Sequence, residues 1–317
     1  MDIIYTDKNR NPMGIFQRYS IDLDIGDTYD FQIDLDLKSK CMEHGSIWYI
    51  DNSEYGGIVD NIITDTKKQT ISYLGRSWRG ILTKKIIEPS AGADYRTVSG
   101  EAYDVLWQII TLCGLQDLMN VPDLVSGMTI NYTFERYVDA YTGIVKMLKT
   151  VNYKPQLRYN GKKIQLGIVP IIDYSEMYEY SNDCGIELKI EDTVGAVNHL
   201  ICLGQGDLKD RTVRHLYLNK TGQVVTAQYY KGVNEIAEIY DYKNVESVDE
   251  LIKSGTEKLL EQSFGKKMDT QMGEIDAEMY DIVGGVDRET GTRIKSQITH
   301  EIVKISNGAI DITYEVG

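Results

Sequence analysis

The stretch Tyr29–Leu37, YDFQIDLDL, alternates without a break: Tyr29, Phe31, Ile33, Leu35 and Leu37 share one phase, and Asp30, Gln32, Asp34 and Asp36 share the other. A period of two marks an extended chain whose side chains project to opposite faces, so the segment reads as an antiparallel strand with one face in a core and the other in water. Similar runs follow it. SIWYID (46–51), GGIVDNIITDT (56–66) and QTISYLG (69–75) are rich in β-branched and aromatic residues, and Lys67-Lys68 reads as a hairpin tip between the last two. Residues 1–90 are therefore expected to form a first β-body of barrel type.

Beyond it the period changes. EPSAGADYRTVSG (88–100) reads as a loop, after which Ala102, Val105, Leu106, Ile109 and Cys113 recur at helical spacing, with Ser99 as the expected N-cap and Gly114 as the stop. A second helical stripe carries Val138, Tyr141, Val145 and Leu148, and PQLRYNGKKIQLGIV then folds back around Asn160-Gly161, a pair suited to a type I′ turn. Residues 91–180 are read as a small α/β insertion. Strands return from Ile186 as IELKI, NHLICLG, VRHLYL with QVVTAQYY, and EIAEIYDY, and the chain finishes in EMYDIVGGVD, IKSQITHEIVKIS and AIDITYEVG. One helix interrupts them at about 247–265. Ser247 and Glu250 form a capping box, Val248, Leu251, Ile252, Leu259 and Phe264 form the stripe, and Gly265 ends it. The fold class expected is mainly β (α+β): two β-barrel-like domains, at 1–90 and 181–317, with an α/β insertion and an additional inserted helix.

Composition narrows the function classes. At 317 residues with 42% apolar and 26% charged side chains, the chain has the make-up of a globular protein of more than one domain. No apolar run approaches bilayer length, and MDIIYTDKNRNPMGIF lacks the basic and apolar segments of a secretory signal, so cytoplasmic synthesis is expected. Cys41, Cys113, Cys184 and Cys202 are too sparse and too far apart to suggest a disulfide framework. A formal charge of −14 argues against specific nucleic-acid binding, which needs a concentrated Lys/Arg surface. The 23 Tyr against 4 Phe and 3 Trp suit half-buried sheet faces and protein interfaces.

Motifs for chemistry fail on spacing. Cys41-x-x-His44 with His199-x-x-Cys202 would complete a zinc set, but residues three apart on a strand point to opposite faces. Asp22, Asp24 and Asp27 open like a calcium loop, yet the twelfth position is Ile33 rather than a bidentate Glu. Gly204-Gln205-Gly206 and Gly284-Gly285 are too short for phosphate loops and read as bends or bulges. His44, His199, His215 and His300 have no recognisable nucleophile beside them, and the carboxylates fall mainly on polar faces, so no glycosidase pair stands out. No catalytic, cofactor-binding or metal-binding residue is expected, and no cofactor.

Two stretches resemble a known family. LGRSWRGILTKKII (74–87) is similar to the Gly-Arg-Ser…Gly-Ile-Leu segment of phage tail-tip hub proteins, and YDIVGGVDRETGTRIKSQITHEIVKISNGAIDITYEVG (280–317) resembles the closing barrel of that siphovirus tail-hub-like family, which also occurs in phage-tail-like bacteriocin particles. The resemblance implies a non-enzymatic baseplate hub subunit: a homotrimer in which each chain gives two related barrels to a pseudo-sixfold ring. Its implied partners are the tail tube or distal tail protein, a central spike or fibre, and the tape-measure protein. Its implied place is the virion tail, assembled in the bacterial cytoplasm. From the bulk charge of −14 alone, a channel wall that shares the chain's acidic balance is expected to repel a passing polyanion. Met279-Tyr280 departs from the Gly-Asp pair expected before the last barrel, and an end at Gly317 leaves no room for the fibre, lysozyme or peptidase extensions of related tail-tip proteins. A carbohydrate- or receptor-binding β module is the alternative from another class, and a cell-wall hydrolase is a third.

Overall fold

In the computed structural model, residues 2–175, 180–181, 187–192, 197–243, 245, 247–262, 266–271, 277–286, 289–291, 293–306 and 308–316 are described. The alternating stretch is a strand, Asp30–Asp36, with Phe31, Ile33 and Leu35 buried and Asp30, Gln32 and Asp36 exposed. Tyr29 turns the chain into it at φ +56°, and Leu37 leaves it in a short 3₁₀ turn. Strand accounts for 44% and helix for 18%, so the fold is mainly β, with several sheets and few helices.

The chain divides into two compact units, one of Met1–Glu187, Thr270–Val286 and Lys295–Gly317, the other of Leu188–Asp269 and Asp287–Ile294. In the first unit the N-terminal strands are β1 (Ile3–Thr6), β2 (Pro12–Ile15), β3 (Ser20–Ile25), β4 (Asp30–Asp36), β5 (Ile47–Ile50), β6 (Gly56–Asp65) and β7 (Thr70–Ser77). Among the described residues they belong to an eleven-stranded sheet in the order Tyr180–Ser181, Ile282–Val286, Arg293–Ser306, β3, β4, β7, β6, β5, β1, β2, with Ala309–Val316 also paired to Arg293–Ser306. The C-terminal hairpin was expected in the second β-body, yet Glu301–Ser306 pairs antiparallel with β3 in the register Glu301↔Ile25, Val303↔Leu23, Ile305↔Ile21. The reason is that a period of two fixes which side chains face inward but not which edge the strand finds.

The tight turn of β6 and β7 forms at Lys67-Lys68, where the Asp65 carboxylate accepts both backbone N–H groups. Beyond β7, helix α1 (Trp78–Thr83) leads to α2 (Ala102–Leu112) and α3 (Ala140–Lys149). The stop at Gly114 is present at φ +66°, but the N-cap of α2 is Glu101, whose carboxylate accepts from Tyr103 and Asp104, and not Ser99. Ser99 lies instead in a strand, Arg96–Glu101, paired opposite Asn131, so the expected loop over 88–100 is partly strand. Tyr153–Tyr159 and Ile164–Pro170 form the expected hairpin. Its turn is not type I′, which needs φ > 0 at both Asn160 and Gly161; only Gly161 is positive, and the Asn160 side chain closes the loop by accepting from Lys162 and Lys163.

The second unit carries a four-stranded sheet in the order Val224–Val225, Val213–Leu218, His199–Leu203, Ala237–Asp241, the last joined parallel. Helix α4 (Val248–Gln262) covers one face, and Leu200, Cys202, Leu216, Leu218, Val245, Leu251 and Leu259 form that core. Ser247 caps α4 by accepting from Glu250 N–H at 3.1 Å, and the Glu250 carboxylate accepts from Tyr242 Oη. Gly265, Cys184 and Asn307 lie outside the described residues. Among the described residues no helix is long and apolar enough to cross a membrane.

Candidate functional site

The segment Gly75–Thr83 places a positive charge in the interior. Ser77 ends β7 and caps α1: its hydroxyl donates to the Tyr29 carbonyl at 2.8 Å and accepts from Gly80 N–H at 3.2 Å. This docking brings α1 so close to the Tyr29 turn that a Cβ on Gly80 would lie 2.1 Å from the Tyr29 carbonyl oxygen. Trp78 is thereby buried against Tyr159, with ring centroids 5.3 Å apart, and Arg79 is buried beside it. Arg79 Nη2 meets Glu54 Oε2 at 2.5 Å, and its guanidinium lies 5.9 Å from the Tyr141 ring centroid. Burial opposes the Arg79 charge, but the Glu54 carboxylate outweighs it and holds the guanidinium above its usual pKa.

On the Glu54 side of this pair lies a cavity of about 300 Å³ lined by Ser53, Glu54, Tyr55, Arg158, Ala277, Glu278, Glu301 and Tyr314. The β5–β6 loop supplies Ser53, Glu54 and Tyr55; Glu301 and Tyr314 face each other across the C-terminal hairpin. Glu301 is 1% exposed and its Oε1 accepts from Tyr55 Oη at 3.0 Å. Burial, reinforced by the nearby Glu54 charge and only partly offset by Arg79, pushes its carboxyl up to about 8. At the other side of the cavity Glu278 receives Arg158 at 3.0 Å and Lys154 at 3.5 Å, and Lys154 also pairs with the buried Asp281 at 2.8 Å. Asp281 accepts the Ile172 and Glu278 N–H groups as well, so both its oxygens are used.

These groups overturn the expectation that carboxylates stay on polar faces. The missed signal is phase: Glu301 shares the inward register of Val303 and Ile305, which are fully buried. Position 280, where a Gly-Asp pair was expected to lead in, takes φ +71° with a tyrosine whose hydroxyl donates to Tyr141 Oη at 3.2 Å and whose ring lies 4.8 Å from Lys149 Nζ.

The Asp22–Asp27 stretch is a turn organised by one carboxylate. Asp24 Oδ1 accepts the N–H groups of Asp27, Thr28 and Tyr29, and Asp24 Oδ2 meets His300 Nε2 at 2.6 Å; His300 Nδ1 meets Glu315 at 2.9 Å. Gly26 is required here, since at φ +150° a Cβ would lie 2.6 Å from the His300 Cα. Burial disfavours the imidazolium, but hydrogen bonds to Glu315 and Asp24 win and raise the His300 pKa; burial likewise acts against ionised Asp24, while His300 and the turn N–H groups lower its pKa. The His300 contribution to stability is therefore complete below about 6.5, the unfolded value, and is lost as pH rises through the higher folded value. In urea unfolding, the stability gap between wild type and His300→Gln is expected to be wide at pH 5 and to narrow by pH 9; a gap that does not change with pH refutes the ion pair as its source.

In the second unit His199 is held by Glu235 at 2.6 Å and by His215 at 2.8 Å, and stacks on Tyr217 with centroids 4.3 Å apart. Cys202 points to the opposite face, into the α4 core, where burial pushes its thiol up to about 11. Cys41 is pushed to about 11 by burial too, and His44 Nδ1 lies 3.1 Å from the Asp60 carbonyl oxygen. Thiols held protonated are poor metal ligands, and among the described residues no group of three or more His, Cys, Asp or Glu side chains is placed to hold a metal ion. Gly204-Gln205-Gly206 sits in a bend closed by the Gly204 N–H to Thr212 carbonyl bond at 2.8 Å.

The mainly β fold is similar to the folds of phage and prophage tail proteins of known structure. The chain matches the tail protein from Neisseria meningitidis MC58 (TM-score 0.57, 13% identity, covering 100% of this chain and 96% of that one). It also matches prophage tail protein gp18 from Listeria monocytogenes EGD-e (TM-score 0.54, 13% identity, 99% and 94%) and the 43 kDa tail protein of prophage MuSo2 from Shewanella oneidensis (TM-score 0.61, 12% identity, 100% and 98%). No protein-family model matches the chain, and no curated protein matches it either.

Proposed function

We propose that the chain is a structural, non-enzymatic subunit of a phage-type tail tip: a hub whose copies form a ring joining the tail tube to a central spike or fibre. The observation that carries this is the end-to-end fold correspondence with tail proteins, which spans at least 94% of each. Three copies, each supplying two β-bodies, the large sheet of the first unit that the C-terminal hairpin completes and the smaller sheet of the second unit, would give the pseudo-sixfold symmetry that adapts a sixfold tube to a threefold spike. Barrel closure or ring contacts would cover the free sheet edges.

Two features support a conduit. The outward phase of β3 and β4 carries Asp22, Asp24, Asp30, Asp34 and Asp36, a carboxylate face that repels a polyanion if it lines the channel. The ion pairs at Arg79 and Lys154 are buried, so they brace the subunit rather than meet a partner. The expected result is a particle of about three times the 36.0 kDa chain mass in native mass spectrometry, and three copies per particle in electron micrographs of tails. A monomer with affinity for host glycans would replace the hub by the receptor-binding alternative.

A further inference from the structure

Among the described residues, the cavity by the β5–β6 loop has one carboxyl more than its cations can neutralise. Glu54 is paired with Arg79, and Glu278 with Arg158 and Lys154, the latter shared with Asp281. Glu301 lines the same cavity, is the most buried of its carboxyls, and is partnered by the neutral hydroxyl of Tyr55. A carboxyl taken out of water with no countercharge of its own, here only the field of Arg79 that Glu54 already claims, either keeps its proton or needs a cation brought to it. The cavity beside it, about 300 Å³, holds a guanidinium or ammonium head and part of its alkyl stem, with space left over for ordered water at roughly 30 Å³ a molecule. The half-exposed Arg158 and Glu278 side chains mark where it meets solvent.

We infer that this cavity is a binding site for one organic cation, a guanidinium or primary ammonium group, that pairs with the Glu301 carboxylate. Phosphates, nucleotides and other anions do not fit, because Glu54, Glu278 and Glu301 surround the space and its guanidinium, Arg158, is already engaged. A neutral sugar would leave the Glu301 charge problem as it stands. The charged groups that act on Glu301 are Glu54, Arg79 and Glu278, with the hydroxyl of Tyr55 beside it, and together they favour the protonated form near neutral pH. Binding therefore has a fixed balance: the carboxyl releases its proton to solvent, and the cation takes its place as the countercharge. Affinity must rise about tenfold per pH unit while the free site is protonated and level off once it is not.

Agmatine titrated calorimetrically into the full chain at pH 6, 7 and 9 tests this. The expected result is tightening of Kd by about tenfold from pH 6 to 7, a further gain that flattens toward pH 9, and release of close to one proton at pH 6, read from the dependence of the heat on buffer ionisation. Glu301→Gln, which can still accept from Tyr55, is expected to lose both the binding and its pH slope. The proton count on the wild type stands even if that variant folds poorly. No agmatine binding at pH 9, or binding with neither pH slope nor proton release, overturns the inference. The source of the natural cation is read separately. If it is a basic side chain of a neighbouring subunit, agmatine lowers the native mass; if it is a free polyamine, the mass is unchanged while binding persists. Failure of the chain to form rings would leave the agmatine result standing, so this site and the hub reading fail independently.

Discussion

Arg79→Met is expected to destabilise the first unit by about 3–5 kcal/mol, the range for removing one member of a buried ion pair. The arginine side chain is 6% exposed and that of its partner Glu54 18%, so the charge left behind cannot simply be taken over by water. That charge would also stand beside Glu301, whose carboxyl is already raised, and drive it further toward its protonated form. Against a typical domain stability of about 5–15 kcal/mol this is a large share. Arg79 Nε and Nη1 have no hydrogen-bond partner, so the wild-type pair carries a cost of its own. The double variant Arg79→Met/Glu54→Gln is for that reason expected to regain at least half of the loss, because replacing both members removes the stranded charge. Urea unfolding of the two single variants and the double variant measures the coupling directly. A loss below about 1 kcal/mol for Arg79→Met would place the pair in the class of solvent-screened surface bridges and would be incompatible with its burial.

What could be read from the sequence divides along a physical line. Strand β4, the hairpin tip at Lys67-Lys68, the Tyr141, Val145, Leu148 part of the α3 stripe and the Ser247 cap of α4 are local, and local periodicity or capping chemistry announces each of them, whereas Val138, expected on that stripe, lies in a short strand paired with Ile87. Pairing partners are not local. Nothing in IKSQITHEIVKIS distinguishes an edge on β3 from an edge in a second body, and the segment joins β3 because the Ile305, Val303, Glu301 register completes the core of the N-terminal sheet. The cap of α2 shifts from Ser99 to Glu101 for a related reason: Ser99 is drawn into a strand by Thr129–Phe134, a tertiary event that overrides a good capping residue.

The candidate site was hidden in the same way. Arg79 and Glu54 are 25 residues apart, and Glu301 is 246 residues from Tyr55. Only the inward phase of Glu301 betrays it in advance, and a glutamate in an inward phase reads equally well as a bulge that turns it out. A bulge does occur, between Ile298 and His300, and it sends His300 to Asp24 while Glu301 keeps facing the core. The segment 74–87 that carries the family resemblance proves to be a packing device: its serine caps, its glycine allows contact, and its arginine balances Glu54.

Trp78→Ala is expected to cost about 3–5 kcal/mol, comparable to the loss of Arg79 but by a different route. Trp78 is 1% exposed, stacks on Tyr159 at an interplanar angle of 18°, and lies so close to Gly56 that a Cβ there would be 2.4 Å from the indole Cζ2. Its surroundings are a glycine backbone and a second large ring, both held by strand hydrogen bonds, so they collapse little and the alanine variant keeps a cavity of nearly full size. The indole Nε1 has no hydrogen-bond partner, which means that aromatic volume rather than a polar contact is what the site uses. Trp78→Phe should therefore lose less than half as much as Trp78→Ala, since no hydrogen bond is forfeited and most of the ring contact with Tyr159 is kept. Benzene or indole added at millimolar concentration should raise the melting temperature of Trp78→Ala and leave that of the wild type unchanged, as expected for a dry apolar cavity that a planar ligand can fill. Equal losses for the phenylalanine and alanine variants, with no recovery by either ligand, would mean that the site relaxes around the missing ring and that α1 is not held by the packing of Trp78.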